Sequence, residues 1–279
     1  MPIRTGKGQS AALATARCGL TTQEETPSAM GLFDLFKGSK GSGSTPPKAE
    51  KGSPVVVKFG ETATSKRAQT YERQEAIGKL VDAGTVEAAE VLLKRFTFTI
   101  DPTITDQEEK ETTFRGIVAV GPEVLKAVRT FAAKADSLGW PMRIVKELTD
   151  DDAYVRELCA WLAKWDTEYA KFVDPKLQIL AALEEHKHPA IREAVERFLE
   201  DVNETARFHA AGALFKQDDD AAVPALVKAL IAEESFRIKN KIVDGFAARN
   251  WIVPEADRSA VTRALPPGAT LTSDGGMRR

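Results

Sequence analysis

The sequence predicts an all-α fold: an α-solenoid of stacked antiparallel helix pairs, about five pairs plus a terminal helix. Three observations carry this expectation. From about Ser65 onward, apolar residues recur at three- and four-residue spacing. Strand-like alternation is almost absent: only Phe96–Asp101 ("FTFTID") alternates, and a stretch so isolated reads as an extended connection. A helical phrase is also written twice. Arg207 is followed by Ala210, Ala211, Ala213 and Leu214; Lys239, 32 residues on, is followed by Ile242, Val243, Gly245 and Phe246 at the same offsets.

Before the helices lies a different kind of chain. Residues 1–58 hold eight Lys/Arg against four Asp/Glu, so a basic arm precedes an acidic body of net charge −6. Arg4, Lys7 and Arg17 stand in a stretch without acids, and the apolar run "AALATA" is too short for a secretory signal. At Met30 begins "MGLFDLFKGSK", where Leu32, Phe33, Leu35 and Phe36 give one and a half turns of amphipathic helix. Gly31–Lys37 therefore reads as a weak docking segment for a membrane surface or a partner. The following "GSKGSGSTPPKAEKGSP" is a flexible linker by composition. The expected organisation is a disordered arm and linker over 1–58, a solenoid over 59–258 with order beginning between Val55 and Ser65, and a disordered tail over 259–279.

Within the body, breakers divide the pattern into pairs. A first set of helices is expected to start near Ser65, Thr105, Pro141, Asp174, Asn203 and Glu234. A second set is expected near Thr85, Pro122, Asp152, Pro189 and Asp220, at successive spacings of 37, 30, 37 and 31 residues. Thr85, Asp152, Asn203 and Asp220 are N-cap types, and Pro122 and Pro189 suit a first turn. Gaps of a few residues force antiparallel neighbours. One helix pair cannot bury its own apolar face; stacked pairs can, which is the physical reason for a repeat of this length.

The openings of the phrase recur too. Asp201, Ala206 and Arg207 share their spacing with Asp150, Val155 and Arg156, and with Glu233, Ile238 and Lys239. In residues 201–214 and 150–162 this phrase resembles the HEAT-repeat, or armadillo-like, family in its short bacterial form. The likeness is good over Asp201–Ala248 and looser over Ser65–Glu200. It implies an α-solenoid that serves as a protein-binding scaffold, and no particular reaction.

A search for chemistry finds little. The chain has a net charge of −2, so bulk charge does not mark a nucleic-acid binder. Cys18 and Cys159, unpaired by context, suit a reducing compartment, and a cytoplasmic setting is expected. His186 and His188 lie two apart in "EEHKHP", without the i, i+4 spacing or third ligand of a metal site. His209 is expected to face outward. The runs Asp150–Asp152 and Asp218–Asp220 sit where helix caps are needed. No phosphate loop or nucleophile arrangement is recognisable, and no cofactor or metal is expected.

Two groups remain as candidates for partner binding. Trp161 and Trp165 are i, i+4 and share a helix face, as a platform or as core. The second helices carry Lys94, Arg95, Lys126, Arg129, Arg192, Arg197 and Lys228, although acids are interspersed. In the resembled family these helices line a concave surface, where such a stripe suits a partner with an acidic segment. The expected function is a non-enzymatic scaffold or adaptor. The alternative is a HEAT-like enzyme, resembling DNA glycosylases or bilin lyases, and the acidic body disfavours it.

Overall fold

The computed structural model describes residues 53–279, which belong to one compact unit. Among them are thirteen α-helices and one pair of two-residue strands. The chain is thus all-α in substance. The arm, the linker, Gly31–Lys37 and Cys18 lie outside the described residues up to position 52.

Each helix begins for a local reason. α1 (Pro54–Ala63) has proline in its first turn, where a missing N–H costs nothing. It starts earlier than the expected boundary at 58 because Val55, Val56 and Phe59 already pack on the core. α2 (Thr70–Ala83) opens on a reciprocal cap between Gln69 and Glu72 and closes at Gly84, whose φ of 59° favours glycine. Thr85 caps α3 (Val86–Leu93) through the Ala88 amide at 3.2 Å. A 3-10 turn, Lys94–Thr97, continues it. After the extended connection, α4 (Thr103–Val120) runs to Gly121, at φ 96°. A short turn from Pro122 leads into α5 (Leu125–Ala132).

α6 (Gly139–Leu148) and α7 (Asp151–Leu162) follow. The cap of α7 is Asp150, which accepts from the Ala153 amide at 2.7 Å, rather than Asp152. α8 (Asp174–Glu184) and α9 (Pro189–Val195) start where expected. His188 is the α9 cap, with Nδ1 accepting from the Ala190 amide at 3.1 Å. Asn203 caps α10 (Glu204–Gln217) through two amides. Asp219, not Asp220, caps the turn into α11 (Val223–Ala232). α12 (Phe236–Arg249) ends at Asn250 in the left-handed region.

The tail differs from expectation. Residues 259–279, read as disordered, carry most of α13 (Arg258–Ala264) and an antiparallel pair, β1 (Thr270–Leu271) with β2 (Met277–Arg278). Its anchors are non-local. Met277 is buried, the Val253 amide donates to the Gly275 carbonyl at 2.9 Å, and Arg258 donates to the Ser273 and Asp274 carbonyls.

α2 packs on α4, α4 on α6, α8 on α10 and α10 on α12. The intervening helices pack likewise: α1 on α3, α3 on α5, α7 on α9 and α11 on α13. One continuous apolar core runs from Ala63 to Met277. Small residues bring backbones together. A Cβ on Gly245 would strike the Phe215 ring, which packs with Phe246 and Trp251 at centroid separations of 6.3 and 5.7 Å.

Charges are buried in this core as pairs. Lys176 and Asp201 are both 0 % exposed and lie 2.6 Å apart. Asp201 also accepts the Asn203 amide at 2.8 Å, beside the start of α10. Glu233 does the same before α12, accepting the Glu234 and Ser235 amides while pairing with Arg207 at 2.8 and 2.9 Å. Asp201 and Glu233 thus hold a helix start and reach back to a base on the preceding helix of the row, whereas Asp150 only caps.

Leu214 is fully buried on α10. Leu214→Ala is expected to cost about 2–5 kcal/mol, measured by urea denaturation, because a cavity is left behind. Lys176→Met strands the Asp201 carboxylate in the interior and is expected to cost about 3–5 kcal/mol in the same measurement.

Candidate functional site

The site is a groove between α3 and α5. α3 and α5 are neighbours in one row, and the groove is lined by the C-terminal half of α3 with the turn after it and by α5 with the turn after it. The groove encloses about 680 Å³, within the size range of ligand and peptide clefts. Val91, Leu93, Phe96, Ala127, Phe131 and Ala135 supply its apolar lining. Lys94, Lys126 and Lys134 stand on its rim with Glu90 and Asp136. All five charged residues are exposed. Among the described residues none of the three lysines is in an ion pair.

The wall is stiff for a visible reason. Phe96 stacks on Trp140, with ring centroids 5.0 Å apart and planes 9° apart. Trp140 meets Phe114 at 6.0 Å. The Arg143 guanidinium lies over both rings, 4.4 Å from Phe114 and 4.5 Å from Trp140. Such contacts hold an aromatic in one place beyond what its area burial would do.

The sequence candidates separate into three fates. Lys94 and Lys126 are brought together on the groove. Arg129 and Lys228 are exposed and Arg192 half-buried, but all three are paired: Arg129 with Glu157 at 2.9 Å, Arg192 with Asp219 at 2.9 Å, and Lys228 with Glu200 at 2.5 Å. Arg197 donates to the Leu162, Ala163 and Trp165 carbonyls, which lie at the end of α7. The structure removes Arg95 from the partner surface altogether. It is 0 % exposed, with its guanidinium on Asp106 and Glu109 at 2.7 and 2.8 Å. Trp161 is likewise core, at 5 % exposure, and Trp165 is half-buried against the same core.

Two participants escaped sequence reasoning. Lys134 lies just past the end of α5, outside any helix face. Trp140 stands in the first turn of α6. Hydrophobic periodicity gives no signal for residues in turns.

The titratable groups away from the groove are structural. Arg156, then His188, holds the Asp152 carboxyl down to about 2. Burial pushes the Glu184 carboxyl up, but contacts with His209 at 2.7 Å and Lys241 at 2.6 Å outweigh it and keep it below its ordinary 4.5. His209 is therefore half-buried and engaged, not outward-facing. Burial also opposes ionisation of Asp106 and Glu233, and again bonds from Lys110 and Arg95, and from Arg207, leave both lowered. Burial raises the Cys159 thiol, which makes it a poor nucleophile. No cluster of three or more His, Cys, Asp or Glu suited to a metal ion occurs among the described residues. None of their helices is long and apolar enough to cross a membrane. The groove offers apolar contact and ammonium groups, which suit binding.

A scan against models of known protein families finds no match, and searches of curated proteins and of solved structures find none either.

The lowered carboxyls fix the sign of acid sensitivity. A group whose pKa is depressed by folding stabilises the fold above its ordinary value and loses that contribution as pH falls through the folded one. The melting temperature is expected to be level down to about pH 5 and to fall below about pH 4. Glu233→Gln removes one of the depressed carboxyls, so its melting temperature should fall less steeply in acid than that of the wild type. Thermal melts followed by circular dichroism check both.

Proposed function

We propose that residues 53–279 form a HEAT-like solenoid of helix pairs that serves as a protein-binding scaffold or adaptor. The recurring acid–base phrase and the two rows in which alternate helices pack support this reading. The observation that carries it is the α3–α5 groove: an apolar floor ringed by three lysines without ion-pair partners among the described residues. The occupant proposed is an amphipathic segment of a protein partner, its apolar side chains on Val91, Phe96 and Phe131 and its acids toward Lys94, Lys126 and Lys134. A cytoplasmic setting goes with this reading, Cys159 being a free thiol among the described residues.

The rest of the basic stripe is set aside on physical grounds. Arg129, Arg192 and Lys228 have their charge met within the chain, and a partner would have to break those pairs first. Exposed pairs contribute about 0.2–1 kcal/mol each, so affinity drawn from charge depends on several together and weakens with salt.

The test compares two charge reversals of the full chain as bait. For a partner captured by the wild type, Lys94→Glu with Lys126→Glu and Lys134→Glu is expected to weaken binding by roughly tenfold or more. Arg129→Glu with Arg192→Glu should change it little. Equal binding by the triple variant, measured by surface plasmon resonance at low and high salt, would place the partner elsewhere.

A further inference from the structure

The densest buried charge lies where α2, the turn after α3 and the first turns of α4 meet. Arg73, Arg95, Asp106, Glu109 and Lys110 are all more than nine-tenths buried. Their pairing is unequal. Arg73 donates to Glu109 at 2.8 and 3.0 Å, and Arg95 donates to Glu109 at 2.8 Å and to Asp106 at 2.7 Å. Two guanidinium groups therefore already serve both carboxylates. Lys110 adds a third cation, donating to Asp106 at 2.7 Å. Among the described residues it donates no other hydrogen bond. An ammonium carries three protons, so two have no acceptor among the described residues. The five groups sum to one surplus positive charge, and unbalanced charge away from bulk water is unfavourable.

That surplus faces a cavity of about 550 Å³. Arg73, Asp106 and Lys110 form its inner wall, with Lys66, Thr70 and Thr103 nearer the opening. Thr103 is the first residue of α4, whose N-terminus has no side-chain cap. Its first-turn amides add donors and positive potential. Asp101 also lines the cavity, but it is exposed and its charge is screened by solvent.

We propose that this cavity binds a small ligand bearing a phosphate or similar tetrahedral oxyanion. Lys110 and the α4 amides donate to it, and Lys66 covers the opening. An anion there cancels the surplus charge and accepts the two free Lys110 protons. A cation would meet Lys66, Arg73 and Lys110, and an apolar ligand would leave the protons unmet.

Isothermal titration calorimetry of the full chain tests this with inorganic phosphate, with glycerol 3-phosphate, and with chloride at matched ionic strength. Saturable binding is expected for the phosphates and not for chloride. Tighter binding of the ester points to a phosphorylated small molecule, and equal binding points to free phosphate. Lys110→Met should weaken either by roughly tenfold or more, and Lys66→Ala by roughly two- to fivefold. Absence of saturable binding, or equal affinity in Lys110→Met, would overturn the site. Should Lys110→Met lose its helical signal, Lys66→Glu decides: weaker binding supports the site, and unchanged binding overturns it.

Discussion

A charge taken out of water must bring its counter-charge with it, and this chain uses that requirement to join one helix to the next of its row. Arg73 on α2 and Arg95 after α3 reach Glu109 on α4. Lys176 on α8 reaches Asp201 before α10, and Arg207 on α10 reaches Glu233 before α12. Apolar ridges can slide past one another by a turn with little loss of buried area. A buried ion pair cannot, because a slide of one turn leaves both charges unpaired, at several kcal/mol. Asp201 and Glu233 also accept backbone amides close to the helix starts, so one carboxylate sets both where a helix begins and how it sits on its predecessor. Two of the three acids of the repeated phrase, Asp201 and Glu233, do this double duty.

Close approach is the complementary constraint. Gly116 faces Val81, Gly212 faces Glu184 and Lys241, and Gly245 faces Phe215. Each lies mid-helix, where glycine costs up to about 1 kcal/mol against alanine. The cost is offset by what the missing Cβ admits. At Gly212 it admits the Glu184–Lys241 ion pair directly onto the helix. At Gly245 it admits Phe215 into the aromatic group with Phe246 and Trp251. Helix spacing is therefore set by these glycines and helix register by the ion pairs.

Local chemistry explains what could be read in advance. Asp174, Pro189 and Asn203 announce helix starts because capping and first-turn preferences act within a few residues. The duplicated phrase at Arg207 and Lys239 marks core faces because helical periodicity is also local. The hairpin at the C-terminus could not be read, since Met277 and Gly275 are held by Val253 and the core rather than by alternation along the strand. The basic stripe failed for the same reason. Whether a cation on a second helix is free depends on acids such as Glu157, Asp219 and Glu109, 14 to 28 residues away in sequence. No pattern on the helix itself records them. Lys126 differs from Arg129, on the same helix, in what the neighbouring helix puts opposite it.

The buried network and the groove meet at adjacent residues. Arg95 is drawn inward by Glu109, Asp106 and the Phe98 carbonyl, to which it donates at 3.1 Å. That anchorage fixes the 3-10 turn after α3, and in it Phe96 is turned onto Trp140 as a wall of the groove. Phe114, which also packs on Trp140, lies on the same helix as Glu109 and just over one turn further along. α4 thus holds the turn from one side by charge and the aromatic wall from the other by stacking. A residue that looked from its sequence position like a contact for a partner instead positions the surface on which a partner would rest. Losing the Arg95 charge would be felt at the groove through Phe96, although Arg95 itself has no access to solvent.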